Sequence, residues 1–232
     1  RRLCERIRIQ GGLSVGTLSL LKAGKGTVGG GAAAPFGLDG SAHANVAAAN
    51  TVNASLTTTR SNDVIICSVV TANTTNITVS GGGLTWSQRA GTPALGAAVQ
   101  THEWSAIAAS PLSGATITVT DNTASNPFMT MDVFGISGAN TASPFDGAVV
   151  TGGEGGTPLL ISTTASDTFI IGLFSSSVNL NPTAGTGFTA ISGADFALAE
   201  YDIVAAPQTN LSVAMGATDG THSSIADAIK KA

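Results

Sequence analysis

The chain has few charged and few aromatic residues. Of its 232 residues, 10% are charged and 5% are aromatic, while 43% are hydrophobic. Disordered chains lack apolar content, so this composition excludes wholesale disorder and predicts a packed core. The length suits one large all-β domain or two small domains.

Cysteine and long apolar runs are also scarce. The two cysteines, Cys4 and Cys67, do not make a disulfide framework, and Cys67 lies in a strand pattern where we expect it to be a small apolar side chain. No stretch approaches the roughly 20 apolar residues that span a bilayer, so we expect no membrane partner. Residues 11–23 follow a basic start, but Ser, Gly and Thr interrupt them, which argues against a secretion signal.

The sequence lacks motifs for catalysis, metals or cofactors. His43, His102 and His222 are far apart and stand in no metal-ligand spacing, and no GxSxG motif occurs. A glycine cluster at residues 152–156 lacks the lysine of a phosphate loop and is interpreted as a flexible connection. We therefore expect no catalytic residue, no metal and no cofactor. Loop carboxylates could still hold calcium, although their spacing does not support it: Asp146, Glu154 and Asp195.

The charges that are present divide unevenly along the chain. Residues 1–25 contain six of the ten basic residues against Glu5 alone, whereas residues 26–229 contain Arg60 and Arg89 against thirteen carboxylates. Residues 1–42 form a glycine-rich basic arm in this interpretation, and we expect it to dock on an acidic neighbour, including another copy of the chain. The arm lacks interleaved aromatic residues and the acidic remainder would repel phosphate, which argues against nucleic acid. The candidate assembly contacts are Arg1, Arg2, Arg6, Arg8, Lys22 and Lys25.

From about residue 43 the pattern is that of short strands. Ile117 and Val119 alternate with threonines, which predicts one buried and one exposed face. Residues 64–70 and 168–174 are apolar on both faces and indicate central strands. Turn signals rich in Gly, Asn, Pro and Asp separate the runs. Only residues 223–230 could form a helical turn or two. The predicted fold is an all-β, antiparallel, jelly-roll-like sandwich behind an extended arm.

An internal repeat runs through the strand region. Residues 56–66 align with residues 160–170 at an offset of 104, Glu103 with Glu200 at 97, and residues 117–119 with 211–213 at 94. Residues 128–137 have no partner in this alignment and are an extra segment. The predicted organisation is therefore an arm at 1–42, a sandwich at 43–220 with halves at about 43–150 and 151–220, and a tail at 221–232. Scarce aromatic residues favour one sandwich over two domains.

The repeat brings two glutamates to matching positions. A carboxylate pair would suggest a glycoside hydrolase. However, Trp104 shares a strand face with Ala106, and that face has the composition of a core. Glu103 and Glu200 are therefore predicted to point to solvent. Trp86 is predicted to anchor the core together with Ile77, Val79 and Leu84, with a carbohydrate-stacking platform as the alternative.

Several short blocks resemble the β-sandwich modules of bacteriophage virion proteins and of bacterial secreted proteins. They are residues 83–89, 103–106, 136–145 and 199–206, within a resemblance that covers residues 45–217. The resemblance implies a fold and a setting rather than an activity. The expected function is that of a structural virion protein, a capsid decoration, neck or tail component, that binds copies of itself and other virion proteins. The alternatives are a carbohydrate-binding or adhesin-like extracellular module that binds a surface glycan, and then a jelly-roll glycosidase.

Overall fold

The computed structural model describes residues 34–72, 76–92, 99–123, 127–155, 158–176 and 178–232. Residues 34–232 make one compact unit. The described residues contain fifteen strands and no helix: β1 Gly37–Val46, β2 Thr51–Leu56, β3 Asp63–Ala72, β4 Ile77–Gly81, β5 Ser87–Gly91, β6 Val99–Ala108, β7 Ala115–Asp121, β8 Met129–Ser137, β9 Val150–Gly152, β10 Leu159–Ile161, β11 Thr168–Ser176, β12 Thr189–Ala194, β13 Ala197–Val204, β14 Leu211–Val213 and β15 Thr221–Lys230. The predicted all-β sandwich is confirmed.

The strands form two large and two small antiparallel sheets. In the N half (β1–β8), the large N sheet has the order β1-β8-β3-β6-β5 and the small N sheet the order β2-β7-β4. In the C half (β9–β15), the large C sheet has the order β9-β15-β11-β13-β12 and the small C sheet pairs β10 with β14. Each half thus repeats one jelly-roll order, in which the first and last strands pair beside the third.

Three apolar clusters show that the four sheets are stacked as layers. One lies between the small and large N sheets, where Ile117 and Val119 meet Ile65. The central cluster lies between the two large sheets, where Val64 and Phe134 meet Phe169. The third lies between the large and small C sheets. Because both large sheets are covered on both faces, β3 and β11 are buried along their length, as their unbroken apolar sequences predicted.

The register of the strands corrects the repeat. Val64 and Phe169 are equivalent residues, at an offset of 105. Each is the first residue of its central strand, β3 or β11, that packs in the central cluster. An offset of 104 would pair Leu56, which is 0% exposed, with Leu160, which is 52% exposed. A one-residue slip exchanges the two faces of a strand, and this slip could not be detected in a sequence with few landmarks.

The C-terminal residues complete the repeat. Residues 221–230 form β15, which pairs with β11 as β8 pairs with β3. The helical turn expected at residues 223–230 is therefore wrong. The interpretation of residues 128–137 as an extra segment is also wrong, because these residues form β8 and β15 is the counterpart of β8. Strong β-propensity around Ile225 and Ile229 and the neighbouring β11 outweigh the weak capping signals.

Matching hydrogen bonds build the turn before the central strand of each half. Thr58 N–H donates to the Leu112 carbonyl and Thr58 Oγ1 accepts from Leu112 N–H; Thr163 exchanges the same two bonds with Gln208. The residues that precede the central strands also correspond, since Asn62 and Asp167 both have positive φ, 62° and 53°. The same hydrogen bonds at equivalent positions therefore form the same turn in both halves.

An aspartate caps each of these turns. Asp39 accepts hydrogen bonds from Thr59 N–H (2.9 Å), Thr59 Oγ1 and Arg60 N–H, and Asp146 accepts the same set from Thr164 and Ala165. Burial alone would raise the pKa of both carboxyls, but these hydrogen bonds bring each pKa below its ordinary value. Asp146 is thus a structural cap.

Candidate functional site

The two matched glutamates are buried. Glu103 and Glu200 are both 0% exposed, so the prediction that they point to solvent is wrong. Strand alternation assigned them outward, but β6 and β13 lie in sheets that are covered on both faces. Glu103 lies between the large sheets beside Asp227, whereas Glu200 lies on the opposite face of the large C sheet, against Gly185. The two carboxyls lie in different layers and do not form a pair.

The corrected register explains this separation. Trp104 pairs with Cys67, and Glu200 pairs with Gly172, which is the residue equivalent to Cys67. Trp104 and Glu200 are therefore the equivalent residues, at an offset of 96 rather than 97. By the same register, the counterpart of Glu103 is Ala199.

Glu103 belongs to a buried ionic cluster between the halves. Arg89 Nε donates to Asp227 Oδ2 at 2.7 Å, Arg89 Nη2 donates to the Gly147 carbonyl, and the guanidinium lies 4.2 Å from the centre of the Phe145 ring. Glu103 has no hydrogen-bond partner among the described residues, and burial together with the Asp227 charge raises its pKa well above the ordinary range. Arg89 therefore pairs with Asp227, while burial favours the protonated form of Glu103.

The same place in the other half is apolar. The pairing of β5 with β6 shifts register at Arg89, and the pairing of β12 with β13 shifts register at Ile191. Ile191 is therefore the counterpart of Arg89. Asp227 on β15 pairs with Ile171 on β11. Phe134 on β8 pairs with Ile66, the residue equivalent to Ile171, so Phe134 is the counterpart of Asp227. The contact that Arg89, Glu103 and Asp227 make between the large sheets is thus ionic. The equivalent contact in the repeat is apolar and consists of Ile191, Ala199 and Phe134.

A histidine also ties the two halves together. His43 on β1 contacts Asp132 through Nδ1 (2.7 Å) and Asp195 through Nε2 (2.8 Å), and Ser192 Oγ lies 3.2 Å from Nδ1. The hydrogen bond to Asp132 is the main cause that raises the pKa of His43 to about 9. Because both ring nitrogens donate to carboxylates, the imidazolium cannot accept a proton from Ser192 and does not work as a general base.

The other predicted ligands are used in the same structural way. Asp146 caps a turn and Asp195 pairs with His43, so neither is placed for calcium. The described residues hold no group of three or more His, Cys, Asp or Glu that could bind a metal ion. Trp86 packs against the N-half core, and its indole N–H donates to the Gly81 carbonyl at 3.2 Å, as the core interpretation expected.

The surface is far less acidic than the composition indicates. Nine of the thirteen carboxylates of residues 34–232 are buried. Of the other four, Asp167 pairs with Lys231 and Asp195 with His43. Net charge is therefore a weak argument both for docking of the arm on this surface and against nucleic acid. The proposed arm contacts lie outside the described residues: Arg1, Arg2, Arg6, Arg8, Lys22 and Lys25.

Of the six exposed large apolar side chains among the described residues, three lie near one another in two loops of the C half: Val178, Leu180 and Phe196. Val178 and Leu180 are 69% and 49% exposed, and the Leu180 carbonyl accepts a hydrogen bond from Phe196 N–H. Phe196 packs edge to face on Phe128, with ring centres 6.2 Å apart. We call Val178, Leu180, Phe196 and Phe128 the apolar end.

A cavity of about 260 Å³ opens beside the apolar end, between the two halves. Its walls come from strand ends of both large sheets: Ala72, Val99, Phe128, Ser176, Phe196 and His222. His222 Nδ1 is buried there without a hydrogen-bond partner among the described residues. Phe196 and the preceding Asp195 have φ values of 62° and 49°, a conformation that a bulky non-glycine residue adopts only at a cost. The turn therefore keeps a phenylalanine over the cavity where glycine would fit better.

Sequence reasoning missed these features because they depend on long-range pairing. His43 lies 89 residues from Asp132 and 152 from Asp195, and nothing local marks the three as neighbours. The apolar end had a weak local signal, since Val178, Leu180 and Phe196 lie among Asn, Pro, Ser and Gly residues that indicate loops.

Comparisons with known proteins add no relative. The chain matches no protein-family model, no curated protein and no solved structure. Among the described residues there is also no helix long and apolar enough to cross a membrane.

Proposed function

We propose that this chain is a structural protein that acts by binding other protein chains, as a capsid decoration, neck or tail component of a virus particle. The observation that carries the proposal is the apolar end, where a strained Phe196 and the exposed Val178 and Leu180 border a cavity between the halves. Neighbouring exposed apolar residues beside a cavity are typical of protein interfaces.

The interior supports the same function. The titratable groups described above work as caps, ion pairs or buried acids, and the two halves are joined by the central apolar cluster, by Arg89–Asp227 and by the His43 contacts. A rigid stack of this kind suits a load-carrying component of an assembly. The viral setting depends on the resemblance of the short sequence blocks, since the jelly-roll order itself serves capsid proteins and lectins alike.

The experiment compares two leucines of equal exposure. Leu180 is 49% exposed at the apolar end, and Leu160 is 52% exposed on β10 in the small C sheet. We expect Leu180→Ser to weaken self-association of the full chain, or its incorporation into particles, by at least tenfold, and Leu160→Ser to leave both unchanged. Sedimentation velocity and particle occupancy are the measurements. Equal behaviour of the two variants would show that the apolar end is not the interface.

The contribution of the arm is tested separately. β1 begins at Gly37, so deletion of residues 1–33 leaves all fifteen described strands intact. We expect the truncated chain to fold with unchanged stability and to assemble less well. If it enters particles at normal occupancy, the arm is not an assembly element.

A carbohydrate-binding module is the second candidate, because Phe128 and Phe196 present aromatic rings at a cavity mouth. The cavity offers few polar groups for sugar hydroxyls, since Ser176 Oγ already bonds the Asp219 carbonyl and the Val178 and Asn179 N–H groups. Binding of a soluble glycan that is lost in Phe196→Gly would favour this candidate over the first.

A further inference from the structure

The turn before β3 contains a second buried carboxyl beside its aspartate cap. Asp63 is the first residue of β3 and is 0% exposed, and no N–H or O–H group among the described residues donates to its carboxyl oxygens at ordinary hydrogen-bond geometry. Its carboxyl is hydrogen-bonded to that of Asp39, the cap of the same turn. Two carboxyls can bond each other only when one of them carries a proton. Because Asp39 already accepts three hydrogen bonds that favour its ionised form, Asp63 holds the proton.

The C half has the same cap but no second carboxyl. Asp146 is the counterpart of Asp39, and by the register of the central strands the counterpart of Asp63 is Thr168. The Thr168 hydroxyl donates to the Ala165 carbonyl at 3.1 Å, within the turn. A threonine always carries its hydroxyl hydrogen, whereas an aspartate can donate only while it is protonated. The N half therefore has a donor that depends on pH at the position where the C half has a permanent one.

Asp39 lies at an irregularity of β1. The pairing of β1 with β8 shifts register between Leu38 and Ser41, so Asp39 and Gly40 fall outside its regular pairs. Hydrogen bonds of the Asp39 side chain, rather than the ladder of the sheet, therefore hold this part of β1 on the turn. A change in the charge around the Asp39 carboxyl thus acts directly on the backbone of β1.

The start of β1 lies in close contact with the turn. A Cβ atom at Gly40 would lie 2.1 Å from the Thr57 carbonyl oxygen. In the C half the glycine after the cap is Gly147, and its Cβ would lie 3.6 Å from the Ser162 carbonyl oxygen. Like charges at hydrogen-bond distance repel strongly in a buried place. Since the N half has little space for two charged carboxyls to separate, ionisation of both must move β1 away from the turn.

We propose that the Asp39–Asp63 pair is a pH-sensitive switch, which holds the start of β1 on the turn before β3 while the two carboxyls share a proton and releases it when both are charged. The switch lies two residues after the start of β1 at Gly37, where the preceding residues of the chain join the large N sheet. It depends neither on the apolar end nor on the proposed assembly function.

The switch works in a defined direction. Burial is the main cause that raises the pKa of Asp63 from 3.8 to about 7, and the Asp39 carboxyl adds to the increase. The Thr58 hydroxyl and the Arg60 guanidinium favour the ionised form but act more weakly, and no charged group described on the flanking β6 or β8 acts on Asp63. Because the folded pKa is raised, the closed form is favoured at low pH. Its advantage is lost as the pH rises from about 3.8 to 7.

The test follows amide hydrogen exchange of the full chain by NMR between pH 5 and pH 8. The Thr59 and Arg60 N–H groups bond the cap of the switch, and the equivalent Thr164 and Ala165 N–H groups bond Asp146, which provides a matched control in the same molecule. After correction for intrinsic exchange, we expect protection at Thr59 and Arg60 to fall by at least about tenfold across this range, because one proton separates the closed and open forms. Protection at the control amides should stay constant.

Three variants identify the group that titrates. Asp63→Asn keeps an N–H donor and cannot ionise, and Asp63→Thr installs the residue of the C half, so we expect both to keep protection high at every pH. Glu200→Gln removes a buried carboxyl of the C half whose pKa is also about 7, and should leave the decline at Thr59 intact. A decline in Asp63→Asn as steep as in the wild type, or an equal decline at the control amides, would overturn the proposal.

Discussion

The two halves have the same strand order and the same turns but different interiors. Asp39 and Asp146 cap equivalent turns with equal sets of hydrogen bonds. Between the large sheets, however, one half contributes Arg89 and Glu103 where the other contributes Ile191 and Ala199. The difference teaches that turns and central strands fix the topology, whereas the packing chemistry around them can change from apolar to ionic without altering it.

The largest expected effect on stability comes from removing one partner of the Arg89–Asp227 ion pair. Arg89→Ala leaves the Asp227 carboxylate buried without its guanidinium partner, so we expect the free energy of unfolding to fall by about 3–5 kcal/mol. The equivalent change in the other half, Ile191→Ala, removes apolar contacts alone and should cost less, about 1–2 kcal/mol, because Ile191 is only partly buried. Urea denaturation measures both, and equal losses would contradict the ionic account.

The turn caps should respond alike in the two halves. Asp39→Ala and Asp146→Ala each remove three hydrogen bonds to a carboxylate, and we expect each to cost about 3 kcal/mol. The lowered pKa of both carboxyls means that this stability is present above their ordinary pKa and is lost as the pH falls through the lower folded value. A large loss in one half and none in the other would show that the turns are not equivalent.

Much of the fold could be predicted from the sequence, and the reasons are local. The unbroken apolar runs around Ile66 and Ile171 identified the central strands, and the alternation of Ile117 and Val119 identified a half-buried strand. The repeat was visible but misaligned by one residue, because its short blocks contain few landmarks and the loops between them differ in length.

The interior chemistry could not be predicted, because it depends on which face of a sheet is covered. Alternation in β6 and β13 correctly separates two faces, but it cannot show that a second sheet covers the polar one. Glu103 and Glu200 were therefore assigned to solvent, although each is buried in a different layer. The small C sheet likewise has no counterpart to β4 among the described residues, which only the pairing reveals.

Glu200 gives the C half a pH dependence that Trp104 cannot give the N half. Burial raises its pKa from 4.5 to about 7, so the folded state is favoured when the carboxyl is protonated, and stability falls as the pH rises from about 4.5 to 7. We expect Glu200→Gln to reduce this decline by about 2 kcal/mol. Thermal denaturation across that pH range tests it, and an unchanged slope would contradict the assignment.

The His43 contacts should give the smallest effect, at alkaline pH. The raised pKa of His43 means that its contribution is complete below pH 6.5 and is lost as the pH rises through about 9. Since the side chain is partly exposed, we expect a loss of about 1 kcal/mol after solvent screening. The wild-type chain should lose this stability between pH 7 and 10, and His43→Gln should show a flat profile.

The exchange of one contact for its counterpart tests the central comparison most directly. The triple variant Arg89→Ile, Glu103→Ala, Asp227→Phe installs in the ionic contact the residues that the other half uses, and its unfolding free energy in urea is the measurement. If the two contacts are equivalent in geometry, the variant folds with the same structure and is as stable as the wild type or more stable by about 1–4 kcal/mol. The reason is that replacement of a buried ion pair by packed apolar residues is commonly neutral or stabilising. A variant that is destabilised as strongly as Arg89→Ala would contradict the equivalence of the two halves.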